Sequence, residues 1–213
     1  MLEITTLLLQ KQAILNATAQ HVVISVWAVL IGTLIAVPLG IALSRNQSAA
    51  KPVMTVVGII QTIPSLVLFG LAMPLLGIGF RTGLIVLIVY SILPILRNTY
   101  TGMREVEYRY IEAAKGMGMS NAQILLDVEL PIALPVIIAG VRISTVYIIS
   151  WATLAALIGA GGLGDLIFTG LQTYNYNMIL AGALPACLLA LATGWLIGMA
   201  QRAATPKGLR HLQ

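Results

Sequence analysis

Long apolar runs alternate with short polar segments along the chain. A membrane-spanning helix needs about 20 mostly apolar residues. The pattern predicts five such spans, at 22–43, 52–80, 82–96, 132–158 and 178–199. The third run is the shortest, but Arg81 and Arg97 at its ends can extend toward the lipid headgroups and lengthen it. The charge-free stretch after the fourth span is too long for one helix, so a short extra element is predicted at 163–173.

The residues before the first span have a mixed pattern. Apolar Ile14 and Leu15 are interleaved with polar Gln12 and Asn16. This predicts a short interfacial helix over residues 2–20 that leads into the first span. The fold class indicated is an all-α membrane protein with five transmembrane helices.

Composition agrees with a membrane protein. Of the 213 residues, 59% are hydrophobic and 9% are charged, whereas an average soluble domain carries about 25% charged residues. A soluble fold of this size would leave large apolar patches exposed. The net charge of +5 is therefore interpreted by its position in the membrane, and no nucleic-acid partner is expected.

The positive charges indicate the orientation, because Lys and Arg collect in cytoplasmic segments. With the N-terminus outside, nine of the twelve fall inside, namely Arg45, Lys51, Arg97, Arg104, Arg109, Lys115, Arg202, Lys207 and Arg210. Lys11 and Arg81 fall outside, and Arg142 lies within a span. We therefore expect the N-terminus outside and the C-terminus in the cytoplasm.

The sequence lacks the marks of catalytic chemistry. It contains no Gly-x-x-x-x-Gly-Lys-Ser/Thr phosphate-binding loop and no His, Cys, Asp and Glu grouping with metal-ligand spacing. Its two histidines, His21 and His211, stand at opposite ends of the chain. A membrane enzyme is not indicated, and we expect this chain to bind no cofactor or metal. An ion-coupled carrier would carry intramembrane acids or paired broken repeats, which the sequence does not show.

The longest polar stretch, residues 97–131, is predicted to form a helical elbow. Gly116 and Gly118 suit the left-handed end of one helix. Ser120, or the asparagine after it, suits the start of the next. That second helix is expected to be short and to end before Pro131.

The elbow also carries a spaced set of residues: Glu112, Ala113, Ala114, Gly118, Val128, Leu130 and Pro131. The set resembles the signature Glu-Ala-Ala, three residues, Gly, nine residues, Ile-x-Leu-Pro of permease subunits of ABC importers. The one departure is valine in place of isoleucine. The resemblance implies a type I importer permease fold, in which this elbow is a coupling helix that docks on a separate ATPase.

The same resemblance implies a role for each residue. Glu112 would make polar contacts with the ATPase, Ala113 and Ala114 would permit close approach, and Gly118 would supply the turn. A fixed elbow with small residues suits the transmission of rigid-body motion.

Three further stretches, 93–102, 159–165 and 205–209, resemble the osmoprotectant branch of that family. The resemblance implies one permease domain over 1–213, in a bacterial cell membrane, for uptake of glycine betaine, carnitine or choline. The implied partners are ATPase subunits that hold ATP and Mg²⁺, a second permease (identical or paralogous) and a separate extracytoplasmic binding protein. An importer of another solute, such as an amino acid or a sulfonate, would share the elbow and stays an alternative.

Residues inside or beside the fourth span are candidates for the translocation pathway or its gate: Arg142, Tyr147, Trp151, Gly161, Gly162 and Gly164. Because an intramembrane arginine must face protein or water, Arg142 is either a gate residue or a structural residue that reaches helix carbonyls or headgroups. Tyr147 and Trp151 share a helix face, where they can contact a trimethylammonium group or simply pack. The glycines fit a re-entrant gate or a plain outer turn, and the resemblance favours the gate.

Overall fold

The computed structural model describes the backbone of residues 2–205 and the side chains of residues 11–205. Helices follow one another closely in this part of the chain: α1 (Leu2–Arg45), α2 (Gln47–Thr62), α3 (Ser65–Leu76), α4 (Phe80–Arg104), α5 (Tyr108–Gly116), α6 (Asn121–Gln123), α7 (Leu130–Ala155), α8 (Leu163–Gln172) and α9 (Tyr176–Ala204). The predictions that involve Lys207, Arg210, His211 and the tail beyond Thr205 lie outside the described residues.

Four helical segments are long and apolar enough to cross a membrane, and the sharply bent pair α2 and α3 adds a fifth if it is counted as one span. In this sense the prediction of an all-α membrane protein with five spans is confirmed. The short element predicted at 163–173 is α8. The third and fifth predicted spans are α4 and α9, which extend further into the flanking polar residues.

The prediction of a separate interfacial helix over residues 2–20 is wrong. That segment is the first part of α1, which is one continuous helix of 44 residues. The chain has no glycine or proline before Gly32, and its polar side chains fit a helix, since Gln12 donates to Asn16 at 3.2 Å. At about 1.5 Å per residue, α1 is about 66 Å long, twice the hydrocarbon thickness of about 30 Å.

The second apolar run, 52–80, is broken rather than kinked. The axes of α2 and α3 differ by 96°. Pro64 immediately precedes α3 and lacks the N–H that would continue α2, and it forces Ile63 into an extended conformation with ψ 126°. The corner is held by α4, because the Tyr90 hydroxyl donates to the Ile63 carbonyl and the Gln61 amide donates to the Tyr90 carbonyl at 3.0 Å.

The helix after the elbow does not end before Pro131, contrary to the sequence prediction. α6 continues through a π-helical stretch, Ile124–Glu129, directly into α7, and a 3-10 turn follows. The result is one rod of 38 residues, Asn121–Ile158. Pro131 stands in the first turn of α7, where a proline's missing N–H is tolerated because the π-helical turns before it bond five residues back.

Small residues bring α1, α4 and α7 together in the centre of the bundle. A Cβ on Gly32 would lie 1.8 Å from Ser91 Oγ, and one on Gly140 would lie 2.6 Å from Asn98 Cβ. The Ser144 hydroxyl donates to the Ser91 carbonyl at 3.0 Å. Close backbones joined by short hydroxyl side chains are typical of helix packing in membranes.

Candidate functional site

The turn of the elbow is fixed by a glycine and a reciprocal cap. Gly118 has φ +80°, a left-handed conformation that disfavours any side chain. Next to it, Ser120 Oγ accepts from the Gln123 N–H at 3.4 Å, and the Gln123 side chain accepts from the Ser120 N–H at 2.8 Å. This capping box starts the rod that contains α7, so the elbow joins two helices by a defined turn.

The helix α5 exposes one face and buries the other. Glu112 and Ala113 are exposed, and Met117 just beyond the helix is 74% exposed. Ala114 is only 1% exposed, and Ile111 packs on the apolar cluster at this end of the bundle. The two alanines of the signature therefore point in different directions, one outward and one into the bundle.

An exposed ion pair precedes this face. Arg109 Nε lies 2.6 Å from Glu107 Oε2, and its guanidinium lies 4.9 Å from the centre of the Tyr110 ring. The carboxylate of Glu107, followed by the Tyr110 hydroxyl, raises the pKa of Arg109. The pair contributes little to stability because water screens it.

A buried carboxylate at the base of the elbow was missed by the sequence analysis. Glu129 is 1% exposed, and both its oxygens accept from the guanidinium of Arg45, one of them at 2.9 Å. Since Arg45 is the last residue of α1, the pair ties α1 to the π-helical stretch. Leu130 and Pro131 lie partly buried beside it. The available signal was an acid at the start of a long apolar run, because a carboxylate that is buried there needs a partner.

The exposed side of α7 is broad and has candidate pathway residues at its two edges, because at 3.6 residues per turn Arg142 stands about 140° around the helix from Tyr147 and about 180° from Trp151. Arg142 is exposed and Tyr147 is 49% exposed, while Trp151 is partly buried. The Tyr147 and Trp151 rings lie 5.6 Å apart, centre to centre, with their planes at 43°. Arg142 runs along Gly198 of α9, where a Cβ would come within 3.2 Å of its guanidinium carbon. Arg142 and Tyr147 line one cavity of about 380 Å³.

The other exposed helix faces are apolar. The large hydrophobic side chains at least 45% exposed on α1 and α9 include Leu30, Leu34, Leu184, Leu188 and Leu191. Such faces suit contact with lipid chains, whereas an exposed guanidinium does not. The surface thus divides into lipid-type faces and the polar, aromatic face of α7.

The candidate gate glycines lie at the end of the rod opposite the elbow. Gly161 and Gly162 have φ of +80° and +94°, and the Gly162 N–H donates to Gln20 Oε1 of α1 at 3.1 Å. A Cβ on Gly164 would come 2.0 Å from the Thr153 carbonyl oxygen, so α8 is packed directly on the backbone of α7. The turn is tied to α1 and α7.

These features define a class of protein. Membrane-length helices pack into one bundle that leaves the polar and aromatic side of α7 exposed, and an elbow with a defined turn lies at one end of it. This is the arrangement of a multi-pass membrane protein. None of the described helices carries a grouping of three His, Cys, Asp or Glu side chains able to hold a metal ion.

Comparison with known proteins gives the family. Residues 25–207 match the family "Binding-protein-dependent transport system inner membrane component", and the chain belongs to it. It is a multi-pass transport permease of the cell membrane.

Named relatives cover nearly the whole chain. The choline transport system permease protein OpuBB of Bacillus subtilis (strain 168) is 48% identical over 200 residues, which cover 94% of this chain and 92% of the relative. The glycine betaine/carnitine/choline transport system permease protein OpuCB of the same organism is 46% identical with the same coverage. The carnitine transport permease protein OpuCB of Listeria monocytogenes is 47% identical, over 93% and 91% of the two chains.

Solved structures support the fold. A chain of the MetNI methionine ABC transporter, in inward-facing conformations, superposes with a TM-score of 0.81 at 22% identity, over 92% of this chain and 98% of that one. A chain of an amino acid ABC transporter crystallised with histidines superposes with a TM-score of 0.77 at 17% identity, over 93% and 97%. The type I importer permease fold predicted from the elbow is confirmed.

Proposed function

We propose that this chain is the permease of an ATP-driven importer for quaternary-ammonium osmoprotectants of the glycine betaine, carnitine and choline class. The observation that carries the proposal is the identity of 46–48%, over at least 93% of the chain, with permeases named for these solutes. The chain conducts the solute, and the chemistry of ATP belongs to a separate subunit that holds ATP and Mg²⁺.

The elbow is the proposed docking site for that ATPase. Its exposed face offers Glu112 for polar contacts, with small Ala113 beside it for close approach. Ala114 is buried, and its small side chain lets α5 lie close to the bundle. Gly118 fixes the angle between α5 and the following rod, whose base contains Leu130 and Pro131.

The polar face of α7 is the proposed pathway. Tyr147 and Trp151 lie together on one edge of it, Arg142 lies on the other edge beside α9, and an exposed arginine at membrane depth requires water or protein in front of it. A second permease, identical or paralogous, placed opposite this face would enclose a pathway lined by both copies. The apolar faces of α1 and α9 would then contact lipid.

The glycine turn is the proposed gate at the far end of the pathway. Gly164 lets α8 lie against the backbone of α7, and Gly161 and Gly162 leave room for side chains of α1. Irregular backbone near the membrane must be buried in protein or line a cavity. A gate at this point would separate the pathway from an extracytoplasmic binding protein that delivers the solute.

The orientation proposed is N-terminus outside and C-terminus in the cytoplasm, since nine of the twelve basic residues then lie inside. The mechanism is alternating access. Closure of two ATPases on ATP draws the two elbows together and opens the pathway outward to the docked binding protein. Hydrolysis of ATP then returns the permease to the state in which the pathway opens to the cytoplasm.

Reconstituted transport tests the proposal. The chain is purified with the ATPase that is recovered with it from its native membrane, and it is placed, together with the candidate binding protein, in liposomes that contain ATP. Uptake of labelled glycine betaine, carnitine and choline is compared with that of methionine. ATP-dependent uptake of at least one trimethylammonium compound, without methionine uptake, supports the proposal. Selective uptake of an amino acid or a sulfonate would show that the proposed substrate class is wrong. Uptake that needs an ion gradient but no ATPase would show that the chain is not part of an ATP-driven importer.

A further inference from the structure

We propose that Gln20 and His21 of α1 are positioning residues for the gate, and that the backbone N–H of Gly162 moves from Gln20 to His21 when the gate opens. The inference rests on the proposed function, because it takes the glycine turn as the gate. It deepens that function, because it assigns the side chain that holds the turn in the observed position and the acceptor that receives it in the other.

Two adjacent residues of α1 hold the junction between α7 and α8. His21 Nε2 lies 3.0 Å from the carbonyl oxygen of Ile149 in α7. Gln20 Oε1 accepts from the N–H of Gly162, directly before α8, at 3.1 Å. Because the two bonds start from neighbouring positions of one continuous helix, a movement of the turn relative to α7 must stretch or break one of them.

The ring of His21 has one nitrogen without a hydrogen-bond partner. A carbonyl oxygen only accepts, so in the neutral ring the hydrogen is on Nε2, and Nδ1 is then an acceptor. The residue is 0% exposed, and no group in the described part of the chain donates to Nδ1. A buried acceptor without a donor destabilises the arrangement that contains it. It therefore points to a second arrangement in which a donor reaches the ring.

The glycine turn lies against this free acceptor. A Cβ on Gly162 would lie 3.0 Å from His21 Nδ1, and one on Gly161 would lie 2.7 Å from Gln20 Oε1. The turn is thus next to two acceptors, the exposed Gln20 and the buried His21. Both glycines have positive φ, and glycine changes its backbone conformation at less steric cost than other residues. A small shift of the turn exchanges one acceptor for the other.

The exchange keeps the Gly162 N–H bonded in both positions. After it, the exposed amide of Gln20 accepts from water, and the ring nitrogen of His21 is no longer unpaired. The observed position is kept by a bond to the link between α3 and α4, where the Gly79 N–H donates to the Ile158 carbonyl at 2.8 Å. Each position therefore has a bond that the other lacks, and partner subunits can shift the balance between them.

Thiol labelling tests the exchange without any solute. The reporter is Tyr147→Cys in a background with Cys187→Ala, in the complex of the permease with its ATPase. Liposomes are selected with the elbow inside, so that a charged thiol reagent added outside approaches from the glycine turn. ATP is either enclosed or omitted, and the rate of labelling measures how often the gate is open.

The role of Gln20 is tested without ATP. We expect Gln20→Ala to raise the labelling rate at least about fivefold, because the Gly162 N–H then has His21 as its remaining acceptor. Gln20→Glu keeps an acceptor oxygen and should label at the rate of the reporter protein. The control Gln12→Ala removes an amide elsewhere on α1 and should also leave the rate unchanged. An unchanged rate in Gln20→Ala would overturn the positioning role of Gln20.

Variants of His21 separate the transfer from a general loosening of the turn. Glutamine can place an amide N–H where Nε2–H stands, so it keeps the bond to Ile149, but it has no acceptor at the position of Nδ1. We expect Gln20→Ala/His21→Gln to label as slowly as the reporter protein, since the open position has lost its acceptor. Equal rates in Gln20→Ala and this double variant would overturn the transfer to His21.

Asparagine makes the opposite change. It keeps an acceptor near the position of Nδ1 but does not reach Ile149. We expect Gln20→Ala/His21→Asn to retain the raised labelling rate, although its thermal inactivation is faster. A return to the slow rate in this variant would also overturn the transfer to His21.

The response to ATP distinguishes this inference from the proposed function. If ATP leaves the labelling of the reporter protein unchanged, alternating access through this gate is wrong, and the inference falls with it. If ATP raises the labelling but the variants of Gln20 and His21 behave like the reporter protein, only the inference is overturned.

Discussion

Glu129 is the side chain at the elbow that depends most on one partner. Its carboxylate is buried in an apolar region, and the two side chains of the Arg45–Glu129 pair differ in exposure, 53% for the arginine and 2% for the acid. Loss of the arginine would leave a buried carboxylate without a partner of opposite charge. Loss of the acid would leave an arginine that water can still solvate. The two removals are therefore not equivalent.

We predict that Arg45→Ala lowers the stability of the protein by about 1–3 kcal/mol, and that Glu129→Gln lowers it by less than about 1 kcal/mol. Thermal inactivation of the detergent-solubilised protein measures both. Equal effects, or a larger effect of Glu129→Gln, would show that the pair does not act through the buried carboxylate.

A second residue-scale prediction concerns Gly164. A Cβ there would meet the Thr153 carbonyl oxygen at 2.0 Å, and backbone cannot move aside as a flexible side chain can. We expect Gly164→Ala to separate α8 from α7 and to lower stability by about 1–3 kcal/mol. In the control Gly70→Ala, the new methyl group has nothing within 4 Å, so its thermal inactivation should stay close to wild type. Similar losses in both variants would refute the packing argument.

At the scale of elements, the elbow is the part whose geometry is most specific. Gly118 has φ +80°, whereas proline fixes φ near −65°. We expect Gly118→Pro to insert normally but to reduce uptake at least about tenfold, the size of a lost coupling. The control Gly116→Ala changes a helical glycine with open space around it and should transport normally. Membrane content and uptake are measured together, and normal uptake by Gly118→Pro would refute the coupling role.

The exposed face of α5 makes a separate prediction. The double change Glu112→Lys with Ala113→Asp alters the charge and size of that face without touching buried Ala114. We expect the ATPase to be lost when the complex is purified through a tag on the permease. The control Glu105→Lys alters an exposed acid before α5 and should retain it. Retention of the ATPase by the double variant would place the docking surface elsewhere.

The elements also show what a single sequence can and cannot determine. α4 and α9 are predictable because each is a long apolar run between polar ends. The break at Pro64 is signalled by proline, but its angle of 96° depends on bonds between the corner and Tyr90, which lies 27 residues beyond Ile63 along the chain. Similarly, Pro131 predicts the end of a helix, but the helix continues, because the π-helical turns before it tolerate the missing N–H.

The candidate site likewise has a part that the sequence predicts and a part that it does not. The elbow residues follow a fixed spacing, so their grouping is readable from the chain alone. Arg45 and Glu129 are 84 residues apart, and the ring of Tyr90 reaches Trp151 from another helix. Such contacts arise from tertiary packing, and no local pattern encodes them.

At the scale of the whole molecule, the division of the surface into an α7 face and apolar faces predicts which residues are in contact with water. The single cysteine, Cys187, is first replaced by alanine. We expect Tyr147→Cys on the α7 face to react with a charged thiol reagent in membranes at least about tenfold faster than Leu188→Cys on the apolar face of α9, because a thiol in lipid remains un-ionised and inaccessible. Equal rates would contradict the division of the surface into pathway and lipid faces.

The uninterrupted rod from Asn121 to Ile158 has a mechanical consequence. Its 38 residues correspond to a length of about 55 Å, with the elbow at one end and the glycine turn at the other. If the rod pivots near the elbow, a tilt of about 10° displaces its far tip by about 10 Å, at the rise of 1.5 Å per residue that sets its length. The helix then acts as a lever that amplifies a small rotation at one membrane surface into a gap wide enough for a small solute at the other.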